Sequence, residues 1–414
     1  MNITLSHSGK QHSYKVAKAL LNLGALDVFY TSSYITNTAL QNYLLQKGNT
    51  YWTRRFEEGL GGKYVEANWR FELKELALRR LYGKTSVTQN AVYQRDMDFD
   101  NYVASLLRKR KSDVYWGFQG SCYESLAAAT QTGKLAVCEL ATAHVKSAQQ
   151  ILGEEARLHP EWADSIDNLV FPAHYEKRLA EEPHRADRVI AASSFTRQTL
   201  LADGISDNKI IVLPLGAAID HVPYINPEIT KGADITKRPL RLLYAGTVTQ
   251  RKGMKYLLDA MKLLPKGAAE LHIVGGIQGA GEAFAKEKDW YSYRPAVSQM
   301  EMFGLYQEFD ALVLPTIFEG FGLVIVEAMA AGLPVITTPH SIGPELIEND
   351  KNGYIVPVRD TKALAQAIET LRGKDAQAYT QMRLAARNAA LQYSWESYEQ
   401  KLSSILANQL KAWV

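Results

Sequence analysis

Cysteine is almost absent: two in 414 residues, Cys122 and Cys138, with no CxxC spacing. That excludes a disulfide framework and a thiolate metal site, and it fits a reducing, cytoplasmic compartment. No apolar run approaches the roughly 20 residues that cross a bilayer. Met1 to Leu5 is too short and lacks the basic start of a signal peptide, so a soluble chain is expected. Neither sign of charge dominates, because 47 Lys and Arg stand against 44 Asp and Glu for a net +3. Such a balance gives no reason to expect a nucleic acid partner. A GxGxxG fingerprint is also missing after the first apolar strand, which speaks against a hydride-transferring dehydrogenase.

What is present is a long alternation of buried strands and amphipathic helices. The length exceeds the roughly 250–300 residues at which a single core stops growing, so two domains are expected. Strands are expected at Asn2 to Leu5, Leu26 to Tyr30, Val114 to Phe118, Leu135 to Glu139, Arg188 to Ala192 and Lys209 to Leu213. A second series runs through Arg241 to Ala245, Glu270 to Val274, Asp310 to Leu314, Pro334 to Thr338 and Tyr354 to Val356. Pro214, Pro223, Pro227 and Pro239 punctuate the stretch between them, which puts a linker within 215–238. The pattern reads as α/β, two Rossmann-like domains of residues 1–215 and 216–394 facing each other across a cleft. In open parallel sheets the ligand lies beyond the carboxyl ends of the strands, so the loops after strands carry the chemistry.

The richest loop is Glu319-Gly-Phe-Gly-Leu-Val-Ile-Val-Glu327, between a buried strand and a helix opening near Gly322. Gly320 and Gly322 permit close approach of a ligand, and the helix start offers free amides to a phosphate. By default a glutamate is a solvated charge. Glu327 differs, because it sits among Val324, Ile325, Val326, Ala328 and Met329, in a helix apolar enough to be buried. A carboxylate accepts well from vicinal hydroxyls of a sugar or a ribose. The second loop, Gly246-Thr-Val-Thr-Gln-Arg251-Lys252-Gly253, brings two cations after another buried strand. They are either a solvated turn or a pair suited to a leaving diphosphate.

At these residues the chain resembles the retaining glycosyltransferases of family 4, the glycosyl transferases group 1, which have the GT-B fold. Two glutamates separated by seven residues, Glu319 and Glu327, carry the resemblance, and Gly246 six residues before the Lys252–Gly253 pair extends it. It covers residues 115–414 well and the first 114 loosely. The resemblance implies a nucleotide-sugar donor, UDP- or GDP-linked, no metal and no other cofactor. Glu319 would contact the transferred sugar. The segment Gly320, Phe321, Gly322, Leu323 and Val324 would bind phosphate through its backbone. Glu327 would hold the ribose, and Lys252 with Arg251 would face the diphosphate, beside Gly246. Many family members carry Arg directly after that glycine, where this chain has Thr247. The resemblance also places a His against the sugar from the first domain, and His144 is the candidate, with Glu139 a competitor on the same loop. Gly9 and Lys10, after the first strand, would approach the donor, although a simple turn explains them as well.

The chain from Arg185 to Thr196 and from Lys209 to Gly216 reads as scaffold, with Ser193 and Ser194 capping a helix. The last helix, 395–414, is expected to return to the first domain, as in the family. Asp96-Met-Asp98 is read as a solvated turn rather than a metal motif. The implied reaction moves a sugar to a hydroxyl of a carbohydrate or lipid-linked acceptor, in polysaccharide or glycolipid assembly. Competing readings are a nucleotide-sugar epimerase or phosphorylase on the same fold, and a non-catalytic sugar-binding protein. The basic, aromatic segment 51–84 suits either contact with the inner face of the cytoplasmic membrane or a solvated helix packed on its domain.

Overall fold

The structure, a computed structural model, describes residues 1–47, 52, 54–83, 86–166, 170–226 and 235–410. Runs of Val, Ile and Leu without polar alternation can only be buried on both faces, which calls for parallel sheets covered by helices. The first half supplies β1 (Ile3–His7), β2 (Leu26–Thr31), β3 (Val65–Ala67), β4 (Val114–Phe118), β5 (Leu135–Leu140), β6 (Arg188–Ala191) and β7 (Ile210–Val212). They form one sheet of order β3-β2-β1-β4-β5-β6-β7, parallel throughout. The second half supplies β8 (Leu240–Ala245), β9 (Ala269–Val274), β10 (Ser292–Arg294), β11 (Ala311–Leu314), β12 (Val335–Thr337) and β13 (Gly353–Ile355). Their order is β10-β9-β8-β11-β12-β13, again parallel.

Each sheet reverses its winding beside its first strand, between β1 and β4 and between β8 and β11. At such a switch point the loops diverge and leave a crevice for a ligand. The loops 246–253 and 315–322 flank the crevice of the second sheet, and 8–12 and 119–122 flank that of the first. The two motif-bearing segments are thus brought to one place by strand order alone.

The expected strands agree with the observed ones to within one or two residues. Two strands were not expected, β3 and β10. Each has three residues and lies at a sheet edge, and every residue of β10 is exposed, so neither has an apolar period to read. Asp96 requires a correction. It lies in the helix Ser86–Leu107 and is buried, accepting from the Ser8 hydroxyl at 2.6 Å and the Tyr175 hydroxyl at 2.9 Å. An internal acid held by two hydroxyls and Arg95 is a structural anchor, not a solvated turn.

Leu215, Ala217, Ile219 and Val222 pack into the core around the second sheet, whereas 227–234 of the expected linker lie outside the described residues. The chain crosses back near its end. Tyr398 and Leu402 of the helix Trp395–Ile405 share a core with Ile3, Leu5, Val16 and Leu20. Gly216 allows the crossing, because a Cβ there would stand 2.8 Å from the Cα of Trp395. Tyr51 and residues 411–414 lie outside the described part.

Candidate functional site

The second-sheet crevice is built by two loops fastened to each other. The amides of Ile317 and Phe318 donate to the Arg251 carbonyl at 2.9 and 3.2 Å. Gly253 makes this approach feasible. Its φ is +75°, and a Cβ would lie 1.9 Å from the Pro315 carbonyl oxygen. Thr249 caps the turn Gln250–Lys252 through its hydroxyl, which turns Arg251 and Lys252 toward the neighbouring loop. Both cations reach the same carboxylate: Lys252 Nζ is 3.2 Å and Arg251 Nη1 is 3.3 Å from Glu319 Oε2. Burial opposes the charge on Glu319, but Lys252 and Arg251 outweigh it and hold the carboxyl below its ordinary range. Gly246, with φ +137°, leaves room beside Lys252, since a Cβ there would meet Nζ at 3.0 Å. Thr247 is exposed at the rim, and its carbonyl accepts from Tyr244 at 2.7 Å.

Gly322, with φ +93°, starts the helix Leu323–Ala330. The first intrahelical bond runs from Ile325 N to Gly322 O, so the amides ahead of it have no partner within the helix. Leu323 is exposed at this end, Val324 is half-buried and Phe321 is buried below. Glu327 lies deeper in the same helix. Burial pushes its carboxyl upward, against bonds from Gln299 Nε2 at 2.8 Å and the Tyr306 hydroxyl at 3.2 Å. Glu319, the helix start and Glu327 thus line one run of the second half, with Lys252 and Arg251 completing it.

The first half closes over this loop at Gly320. A Cβ there would fall 2.3 Å from the Ala141 carbonyl oxygen and 2.4 Å from the Thr142 Cα. The Ser193 hydroxyl donates to the Gly320 carbonyl at 2.7 Å while accepting from Thr196 N as a helix cap. Phe195 stacks on His340 with ring centroids 4.3 Å apart. The capping role of Ser193 was legible in the sequence. Its second bond, across 127 residues of chain, had no signal there.

His144 does not face this cleft. It stands at the N-terminal boundary of the helix Val145–Leu158 without a side-chain capping bond, and its side chain is fully buried. Its Nε2 lies 3.2 Å from the Ala180 carbonyl and 3.4 Å from Asp203 Oδ2, and burial lowers its basicity. The loop after β5 presents Ala141 and Thr142 to Gly320, and by His144 the chain has turned inward. Glu139 is also engaged: it accepts from Trp116 Nε1 at 2.8 Å and lies 2.5 Å from His12 Nε2.

Under the Gly9 loop the structure gathers groups the sequence did not connect. Gly9 N donates to His7 Nδ1 at 2.6 Å, and a Cβ on Gly9 would approach His7 Cε1 at 3.3 Å and Arg95 at 3.9 Å. Burial pushes the His7 imidazole down to about 3, so it is neutral at physiological pH. The unfolded chain takes a proton at this His near its ordinary value of 6.5 while the folded chain does not. Stability from this group is therefore lost as pH falls from 6.5 toward 3. In a His7→Asn variant that loss is absent. The stability gap between wild type and variant should narrow by about 1.4 kcal/mol per pH unit within that window, measured by urea denaturation. A gap that does not change with pH would contradict the buried, neutral state.

A second contact between the halves lies behind the cation loop. Arg359 bonds to Glu155 at 2.6 Å and Glu154 at 2.8 Å, and Gln250 Nε2 donates to Glu155 at 2.7 Å. Ser165 Oγ accepts from Gln250 N at 2.9 Å. Glu155 is fully buried. Arg359→Ala should cost about 3 kcal/mol, because it leaves an internal carboxylate short of its cation. Pairing it with Glu155→Gln should restore part of the loss in denaturant titrations.

Two facing parallel sheets with the ligand crevices at their switch points define the GT-B fold, and solved structures of that fold match along the whole chain. HepE of Anabaena, solved in complex with UDP, aligns with TM-score 0.63 at 18% identity, covering 98% of this chain and 100% of that one. WaaG, a glycosyltransferase involved in lipopolysaccharide biosynthesis, aligns with TM-score 0.58 at 15% identity, covering 98% and 100%. Residues 239–373 match the family model described as glycosyl transferases group 1. It is 28% identical over 235 residues to the amylovoran biosynthesis glycosyltransferase AmsK of Erwinia amylovora, covering 53% of this chain and 55% of that one. It is 27% identical over 208 residues to the putative colanic acid biosynthesis glycosyltransferase WcaL of Escherichia coli, covering 47% and 50%. The chain thus spans about half the length of the curated relatives it matches. Among the described residues no helix is long and apolar enough to cross a membrane.

Proposed function

We propose that this protein is a retaining glycosyltransferase of the family 4 type, moving a sugar from a nucleotide-diphosphate donor to a hydroxyl of a growing polysaccharide or glycolipid. The observation that carries this reading is the convergence of Lys252 and Arg251 on Glu319 at the second-sheet switch point, beside a helix start. Ahead of donor binding the carboxylate holds both cations. A bound diphosphate would take them over, freeing Glu319 to accept from sugar hydroxyls. Arg251 thereby supplies the second charge that Thr247 does not. Glu327, braced by Gln299 and Tyr306, suits ribose hydroxyls. HepE is solved in complex with UDP and a trehalose-6-phosphate protein of E. coli with UDP-2-fluoro glucose, so a UDP-sugar is the first donor to test.

In the proposed reaction the acceptor oxygen attacks the anomeric carbon from the face the diphosphate leaves. The bond from that carbon to the phosphate oxygen breaks, and the departing oxygen takes the acceptor's proton. The two cations and the helix amides stabilise the charge that develops on the leaving group, and no metal is required. Closure at Gly320 excludes water. The test is thermal stabilisation by UDP- and GDP-sugars, followed by the anomeric configuration of the product by NMR. No response to either donor, or an inverted product, would overturn the reading. An interconverted free sugar nucleotide would favour the epimerase instead.

A further inference from the structure

The helix Arg70–Tyr82 is built the opposite way round from a solvated helix. Its carboxylates point inward: Glu72 and Glu75 are buried, bonded to Arg55 and Arg95, and Glu72 also accepts from Ser32 and Ser33 at 3.0 and 2.7 Å. Two of its four leucines point outward, Leu73 57% and Leu81 75% exposed, while Leu76 and Leu78 are half-buried and Phe71 is buried. The helix Thr38–Gln46 buries Gln41 and Leu44 and leaves Leu40, Tyr43 and Leu45 exposed. Ile35, Leu40, Leu44, Trp52, Trp69 and Leu73 line a groove of about 550 Å³ between the two helices. A water-facing surface would place these groups the other way.

The charge on this face has one sign. Arg70, Lys74, Arg79 and Arg80 are exposed on the helix, and both of its acids are turned inside. A second copy of the chain meeting this face about a two-fold axis would set cations against cations. A surface that is both apolar and negatively charged suits it. The face also borders the first-sheet crevice, because Tyr34 and Ile35 follow β2 and the Ser32 hydroxyl bonds to the Ser8 carbonyl beside Gly9.

We propose that the helices Thr38–Gln46 and Arg70–Tyr82 dock the protein on a lipid bilayer carrying anionic headgroups. The leucines and the groove take acyl chains, and the arginines and Lys74 lie at headgroup level. The membrane then lies beside the crevice where an acceptor would enter. This surface is independent of the donor assignment, and its test needs no nucleotide sugar.

The full chain is sedimented with vesicles of phosphatidylcholine alone and of phosphatidylcholine with phosphatidylglycerol. Binding should occur with the anionic vesicles only and weaken as salt rises. Lys74→Gln with Arg80→Gln should lower the affinity by roughly thirtyfold. Leu73→Glu with Leu81→Glu should abolish binding while the thermal transition stays in place, since both side chains are already exposed. Absence of binding to anionic vesicles, equal binding to both vesicle types, or binding unchanged in both variants would overturn the proposal. So would a dimer in gel filtration that dissociates in the Leu73→Glu, Leu81→Glu variant, which would assign the face to a second copy.

Discussion

Replacing Lys252 by Ala should lower kcat by a factor of roughly 10² to 10³ while leaving the fold intact. The ammonium stands 3.2 Å from Glu319 on a loop that is itself tied to 315–322, so only its ion pair with Glu319 has to be exchanged for the diphosphate. Its removal takes away one of two cations, and the other, Arg251, remains committed to the Phe318 carbonyl at 2.9 Å as well as to Glu319. Stability should change little, about 1 kcal/mol or less, because the pair is partly open to solvent and Arg251 keeps the carboxylate partnered. Stopped-assay rates against a thermal melt separate the two effects. A variant with normal turnover would remove Lys252 from the site. The Arg251 contacts to the Phe318 carbonyl and to Glu319 both run through Nη1, at 2.9 and 3.3 Å.

The second large effect is expected at Gly320. A methyl group there would enter the space of the Ala141 carbonyl and the Thr142 Cα, both backbone atoms that cannot swing aside. Gly320→Ala should therefore separate the two halves by about an ångström and break the bond from Ser193. Misplacement on that scale costs on the order of a hundredfold in rate for a reaction that depends on alignment. Donor affinity should change only a few-fold, because Lys252, the Gly322 helix start and Glu327 all belong to the second half. A rate near wild type, or a loss of donor binding as large as the loss of rate, would contradict this division of the site.

The two loops that matter in the second half were legible because each combines local signals: a buried strand, glycines where the backbone must approach a partner, and charged residues at fixed spacing. Glu319, Lys252 and Arg251 needed only their strand order to meet. The first half was harder to read. His144 had the right distance from a strand end, but whether a loop residue faces a cleft or its own core depends on where the chain turns, and that is set by packing against Ala180 and Asp203. The same limit applied to Asp96, whose partners Ser8 and Tyr175 lie 88 and 79 residues away.

Strand and helix periods, the switch from one sheet to the next, and the loops carrying Lys252 and Glu319 are properties of short segments, and the amino-acid sequence alone determined them. Only the tertiary structure decided which side chains of the first half reach the cleft, how Arg359 and Ser193 hold the halves together, and that the helix Arg70–Tyr82 turns its acids in and Leu73 and Leu81 out. An amphipathic helix has two faces of nearly fixed composition, and a sequence cannot say which of them the rest of the fold will cover.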